Sequence, residues 1–241
     1  MDLGISGKVA LVTAGSRGLG RATALAQADE GVRIMLSGRD PDSRERTRRE
    51  VADRGVEAEA QAGDITDPAE PERLVAATVE RFGALDILVA NAGGPPPGRA
   101  VDVSDEQLQA ALNANLLTSI RLVREGLPHM RSTGWGRICC ITSYTVRQAA
   151  PALSLSNTAR VGLWGWLKTA AHDLASESSG ITINMICPGP HATDRMKELG
   201  GSGVMGDPAD FGCVVAFLCS AKAGFVNGAA VVVDGGSTLA L

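Results

Sequence analysis

Apolar runs that do not alternate with polar residues govern what this chain can become. Lys8 to Thr13 is one, and Leu85 to Ala90, Gly136 to Thr142 and Thr182 to Ile186 repeat the pattern. A strand that is apolar on both sides must be buried on both faces. A parallel sheet covered by helices provides that, and a half-wetted antiparallel sheet does not. Further strands are expected at Val32 to Ser37, Glu57 to Ala62 and Ala229 to Val233. Segments of helical character separate the runs: Arg21 to Glu30, Asp42 to Arg54, Pro71 to Phe82, Glu106 to Met130, Leu155 to Ser176 and Pro208 to Ser220. This rhythm predicts an α/β fold, a doubly wound parallel sheet with helices on both faces. Gly94 to Gly98 and Gly200 to Gly206 read as loops too short to separate domains, so residues 1–241 are expected to form one domain.

Composition narrows the class. With 241 residues and 44% hydrophobic content the chain has material for a sizeable core, while no run reaches the length of a membrane span. Met1 to Gly7 lacks a basic and then apolar leader, so no signal peptide is expected. A net charge of −4 speaks against a nucleic-acid face. The five cysteines have no C-x-x-C spacing; Cys139, Cys140 and Cys187 lie in strand-like runs and read as small buried thiols, neither metal ligands nor disulfides. A cytoplasmic location and no metal are the expectation.

The first apolar run passes directly into Thr13-Ala14-Gly15-Ser16-Arg17-Gly18-Leu19-Gly20 and then an Ala-rich helix. Glycines in a strand-to-helix turn let the backbone approach a pyrophosphate and let helix and strand pack closely. The helix N-terminus behind them offers free amides and a positive dipole end. A glycine-rich turn alone is a weak signal, but here strand, turn and helix follow in the order a Rossmann-type dinucleotide site requires.

Six further motifs then recur in order: Gly63-Asp64-Ile65, Asn91-Ala92-Gly93-Gly94, Asn113-Ala114-Asn115-Leu116, Ile141-Thr142-Ser143, Cys187-Pro188-Gly189 and Val233-Asp234-Gly235-Gly236. With the glycine turn they make the chain resemble the short-chain dehydrogenase/reductase family from about Gly7 to Gly236. The resemblance implies that Gly15, Ser16, Arg17, Gly18, Leu19 and Gly20 cradle the cofactor and that Asp64 and Ile65 hold its adenine end. It implies that Asn91, Ala92 and Gly93 brace the fourth strand beside it, and that Pro188, Gly189 and Thr193 lie at its nicotinamide end. Asn115 would mark a kinked helix behind the active site, and Ser143 would face the substrate carbonyl. One departure is Ala14, where the family usually has the first glycine of the turn.

Cofactor choice follows from charge. Relatives that prefer NAD carry an acid at the end of the second strand, which bonds the ribose hydroxyls and repels a 2′-phosphate. This chain has Ser37-Gly38-Arg39 there, with Gly38 in the acid's place. Arg39 and Arg17 provide planar forks suited to a phosphate, so NADPH is expected over NADH. The run Arg44, Arg46, Arg48 and Arg49 reads as a solvated helix face.

The catalytic segment departs further. Ser156 follows Ser143 at the family's usual serine-to-tyrosine spacing, so Ser156-Asn157-Thr158-Ala159-Arg160 stands where Tyr-x-x-x-Lys belongs. In active relatives the tyrosine gives a proton to the alkoxide, and the lysine lowers its pKa and grips the nicotinamide ribose. Arg160 keeps positive charge and hydrogen bonds for the ribose, but a guanidinium does not shuttle protons. An aliphatic hydroxyl is a poor general acid beside a phenol. Ser156 is therefore expected to orient the carbonyl or hold a water. Tyr144, the only tyrosine of the chain, is the leading replacement donor, with His191 and an ordered water behind it. Relatives that read Leu-x-Leu-Ser-Asn with a following Arg form a branch of reductases, and Leu153 to Asn157 with Arg160 matches that pattern.

These readings converge on an NADPH-dependent oxidoreductase for a small carbonyl or alcohol substrate, with Asn115, Ser143, Tyr144, Ser156 and Arg160 at its centre. The alternatives are a catalytically silent NADPH-binding protein and a non-redox enzyme on the same frame. Halohydrin dehalogenases exemplify the latter, yet they dismantle the glycine turn, and Gly18 and Gly20 persist here. The short stretch Asp194 to Asp207 predicts an open substrate pocket. The apolar helices from Glu106 and Leu155, the second bearing Gly162, Trp164, Gly165 and Trp166, predict a homodimer or homotetramer.

Overall fold

A computed structural model describes residues 1–198, 200 and 203–240. Leu199, Gly201 and Ser202, within the stretch expected to leave the pocket open, and Leu241 lie outside the described residues. Seven strands form one parallel sheet in the order β3-β2-β1-β4-β5-β6-β7. They are β1 (Val9–Val12), β2 (Arg33–Gly38), β3 (Ala58–Ala62), β4 (Ile87–Ala90), β5 (Gly136–Ile141), β6 (Ile181–Pro188) and β7 (Ala230–Val233).

The continuous apolarity of the central strands is explained by two cores, one on each face. In β1, Val9 and Leu11 point into a cluster with Leu122, Leu163 and Leu167. Ala10 and Val12 point into another with Ala24, Phe211 and Val215. The first core is covered by α3 (Glu70–Phe82), α5 (Thr118–Thr133) and α6 (Ser154–Ser176), the second by α1 (Gly18–Asp29) and α8 (Pro208–Leu218). Burying a side chain such as Leu122 or Phe211 contributes about 1.5–3 kcal/mol, so both layers are needed to fix the sheet. The edge strand β3 alternates Glu59 and Gln61 with alanines and is only half-buried, as an edge allows. Helix α2 (Pro41–Ala52) has Pro at its start and Asp40 accepting from the Ser43 amide as its cap.

Two segments refine the sequence expectation. The helical segment from Glu106 to Met130, in which Asn115 was expected to mark a kink, divides there: α4 (Asp105–Leu112) and α5 flank a π turn at Asn113–Leu117. The Thr118 hydroxyl lies 2.9 Å from both Ile65 O and Asn113 O, which share its one proton, and Asn113 Nδ2 donates to Thr66 O at 2.7 Å. Contacts to the loop after β3 thus hold the bulge in place. The short stretch after Thr193, expected to leave the pocket open, begins with a short helix, α7 (Asp194–Glu198). Among the described residues no helix is long and apolar enough to cross a membrane.

Candidate active site

Strand order reverses between β1 and β4, which opens a crevice beyond their carboxyl ends where ligands of such sheets bind. A cavity of about 640 Å³ lies there. Ala14, Ser16 and Arg17 of the turn line it, with Gly38 and Arg39 at the end of β2, Asp64 and Ile65 after β3, Ala92 and Gly93 after β4, and Asn115 of the π turn. These expected site residues are brought together around one space. Ser143, Tyr144, Ser156 and Arg160 do not line it, and neither do Gly15, Gly18, Leu19, Gly20, Asn91, Pro188, Gly189 and Thr193.

The turn is held by a compact set of bonds. Gly15 N donates to Ser37 O at 2.8 Å, and the Thr47 hydroxyl of α2 donates to Ser16 O at 2.9 Å. Asn91 N donates to the Thr13 hydroxyl at 2.9 Å, and Asn91 Nδ2 donates to Ala14 O at 3.2 Å, tying the turn to the end of β4. Gly20 permits helix α1 to approach: a Cβ there would sit 2.4 Å from Ala14 O. Ala14 takes φ 45°, the left-handed region that glycine occupies freely, so the substitution noted in the sequence is accommodated with strain.

The residues fit a dinucleotide. A Cβ on Gly93 would project into open space, and one on Gly18 would meet only Thr193, at 3.8 Å, so the backbone leaves a bare cradle before the start of α1. At the far end, a Cβ on Gly38 would lie 2.5 Å from Ser16 Oγ. Arg17 and Arg39 are exposed there, and Arg39 Nη1 is 3.8 Å from Asp64 Oδ2. Such an exposed pair contributes little and yields readily to a better anion. The Asp64 carboxyl sits below its ordinary value because the Thr66 amide and hydroxyl donate to it, with Arg39 adding to the effect. Sequence reasoning missed Arg44: its Nη1 turns back to donate to Gly38 O at 2.9 Å, so it caps the end of β2 and is not simply solvated.

On the chemical side, Ser143 ends the loop after β5, and its Oγ accepts from the Thr145 amide at 3.2 Å. Tyr144 begins the following 3-10 turn and is half-buried. Ser156 and Arg160 lie one turn apart in α6, both buried. Arg160 Nε donates to Ser156 Oγ at 3.1 Å, Nη1 to Ile141 O at 3.2 Å and Nη2 to Asn115 Oδ1 at 3.1 Å. Hydrogen bonds from a charged donor contribute about 1.5–3 kcal/mol each, which offsets the cost of burying a guanidinium that has no carboxylate partner among the described residues. Burial still pulls its pKa down to about 10, so it remains a cation at neutral pH.

Pro188 closes β6 beside Val233 of the parallel β7, and a Cβ on the following Gly189 would lie 2.5 Å from Asp234 Cβ, so glycine lets the two strand ends pass closely. His191 is buried, its Nδ1 3.0 Å from Gly189 O and its ring edge-on to Phe211 at 5.1 Å. Trp164 and Trp166 pack partly against the core of their own chain, and Arg147 lies 4.7 Å above the Trp164 ring.

A parallel seven-stranded sheet with a glycine turn opening the first helix and a cavity at the switch point defines a doubly wound fold of the Rossmann type. Residues 13–238 match the family model described as enoyl-(acyl carrier protein) reductase. The human dehydrogenase/reductase SDR family member 4 is 30% identical over 247 residues, covering 97% of this chain and 88% of that protein. The structure of L-sorbose reductase from Gluconobacter frateurii complexed with NADPH and L-sorbose superposes with a TM-score of 0.92 at 30% identity, covering all (100%) of both chains. A 7α-hydroxysteroid dehydrogenase complexed with NADH and 7-oxo glycochenodeoxycholic acid also gives 0.92, at 27% identity, covering 98% of this chain and 96% of the other. This chain belongs to the short-chain dehydrogenase/reductase family of oxidoreductases.

Proposed function

We propose that the protein is an NADP(H)-dependent oxidoreductase that interconverts a carbonyl compound and its alcohol. The observation that carries this reading is the arginine-flanked end of the cavity, where Ser16 Oγ denies an acid at position 38 the room it would need. A 2′-phosphate placed there meets Arg17 and Arg39 and no carboxylate from β2. In this reading Asp64 and Ile65 hold the adenine end, and Gly15, Gly18, Leu19, Gly20 and the start of α1 hold the pyrophosphate. Asn91, Ala92 and Gly93 brace the middle, with Pro188, Gly189 and Thr193 at the nicotinamide. The relative solved with NADPH and a sugar supports the cofactor, and the one solved with NADH keeps the comparison open.

When bound, the nicotinamide supplies or accepts the hydride. Ser143 and Ser156 donate hydrogen bonds to the substrate oxygen, and Tyr144 is the one phenol near Ser143 that can move a proton. Fluorescence titration tests the cofactor: NADPH binds at least several-fold more tightly than NADH, and equal affinities would refute the arginine argument. Loss of NADPH absorbance with a panel of ketones, aldehydes and diketones tests turnover. Ser156 in the acid's place favours a second reading, a silent NADPH-binding protein, which binding without turnover would establish.

The same reading includes self-association in the cytoplasm as a dimer or tetramer. Leu117 of the π turn and Val161 of α6 are 40% and 46% exposed, and Gly162 and Gly165 of α6 are exposed as well. A monomer by light scattering at micromolar concentration would refute the assembly.

A further inference from the structure

A guanidinium has five donors and no acceptor, so whatever it touches must accept. The Nε and Nη2 hydrogens of Arg160 form the edge that elsewhere grips the two oxygens of a carboxylate. Here Ser156 Oγ and Asn115 Oδ1 take those two places, each at 3.1 Å. Ile141 O takes Nη1 at 3.2 Å, and the three partners fix the plane of the group from three different elements. Three of the five donors are thereby used, leaving one hydrogen on each Nη, and two consequences follow for the partners. Ser156 has accepted from Arg160, and no protein acceptor for its one hydroxyl proton occurs among the described residues. Asn115, with its oxygen turned to Arg160, is left with a buried Nδ2 that has no partner. Asn115 also lines the cavity at the switch point, whereas Ser156 and Arg160 stand behind it.

We propose that Arg160 is a positioning residue that acts on the reacting oxygen through Ser156, and that it makes no contact with the cofactor ribose. It holds Ser156 and Asn115 by their oxygens, which reserves the Ser156 hydroxyl proton, with the Asn115 amide beside it, for an oxygen of the substrate. The positive charge stands directly behind that hydroxyl. It therefore favours a substrate oxygen that gains negative charge as the reaction proceeds. Lysine at this place would hold the ribose in the family pattern; arginine, pinned along its edge, does different work. The inference rests on the oxidoreductase reading above.

The test separates cofactor affinity from turnover. NADPH dissociation constants are measured for the wild type, Arg160→Gln and Arg160→Lys, the lysine variant keeping charge and family precedent should the glutamine variant fold poorly. Turnover is measured on the best acceptor of the carbonyl panel for these and for Ser156→Ala, alone and combined with Arg160→Lys. Both Arg160 variants should leave NADPH affinity within about threefold and lower kcat by about tenfold or more. Ser156→Ala should cost a similar factor, and the combined variant should be no more than about twofold worse than either, since the two residues act as one unit. A purely structural strut predicts multiplying effects instead. NADPH affinity weakened about tenfold or more in both variants, or independent effects on kcat, overturns this inference alone. A wild type that binds NADPH and turns over no acceptor overturns the oxidoreductase reading and this role with it.

Discussion

Replacing Gly38 with aspartate, the change that would be made to favour NADH, should first of all damage the fold. Gly38 does not have a positive φ, so the backbone itself accepts a side chain. The obstacle is Ser16: the new Cβ would lie 2.5 Å from its Oγ and 2.8 Å from its Cβ. Ser16 is buried at 6% exposure, and its carbonyl is held by the Thr47 hydroxyl at 2.9 Å, so the turn does not simply retreat. Overpacking of this kind costs about 1–3 kcal/mol, which for a domain of this size lowers Tm by roughly 2–10 °C. The carboxylate also faces the place argued for the 2′-phosphate, so NADPH should weaken by about tenfold or more, some 1.4 kcal/mol. Combining Gly38→Asp with Ser16→Gly should recover most of the Tm, because both offending atoms are gone. Combining it with Ser16→Ala should not, because the Cβ contact at 2.8 Å remains. Thermal unfolding followed by circular dichroism measures this directly. A wild-type Tm for Gly38→Asp alone, or equal rescue by alanine and glycine at position 16, would refute the steric argument.

Other expectations are narrower. Native protein should react rapidly with a thiol reagent such as dithiobis(nitrobenzoate) only at the exposed Cys213, because the other four cysteines are buried and burial pushes the Cys140 thiol up to about 12; fast reaction of Cys213→Ser would contradict this. Hydrogen bonds from Arg48 and then Arg49 hold the Glu45 carboxyl down to about 2 against an ordinary 4.5. Its stabilising contribution is therefore full above pH 4.5 and fades as pH falls toward 2, and urea unfolding of Glu45→Gln across that window should show a shallower loss than wild type. Ser156→Tyr with Arg160→Lys should raise activity toward simple carbonyls on the scale of about 10²–10⁴, without a comparable change in NADPH affinity. Tyr144→Phe should abolish most native turnover if the acid has moved to that loop, and an unchanged rate would leave water as the donor.

The strands and the first turn are legible in the chain because their cause is local. An apolar run with no polar alternation has one economical burial, and the residues of β1 divide between two cores as that pattern requires. The glycines at 18 and 20 are demanded by a turn whose backbone is crowded on one side and bare on the other. The place of Ser156 and Arg160 in the family pattern is equally a matter of spacing, and so is the absence of an acid at position 38.

What those residues do to one another was decided in three dimensions. The π turn at Asn113–Leu117 has no periodic signal, because partners on the loop after β3 hold it. Arg44 belongs to a charged helix in sequence, yet it reaches the backbone at Gly38, which follows from where α2 begins and not from its neighbours. A Cβ added at Gly38, on β2, would meet Ser16 Oγ, in the turn after β1, at 2.5 Å, an approach that only the packed strands create. Arg160 is the strongest case. Sequence places a cation at the lysine position, but the direction of its guanidinium is set by Ile141 O and Asn115 Oδ1, acceptors from β5 and the π turn. A long flexible side chain goes where its hydrogen bonds are best satisfied out of water, and that place exists only once the three elements have packed.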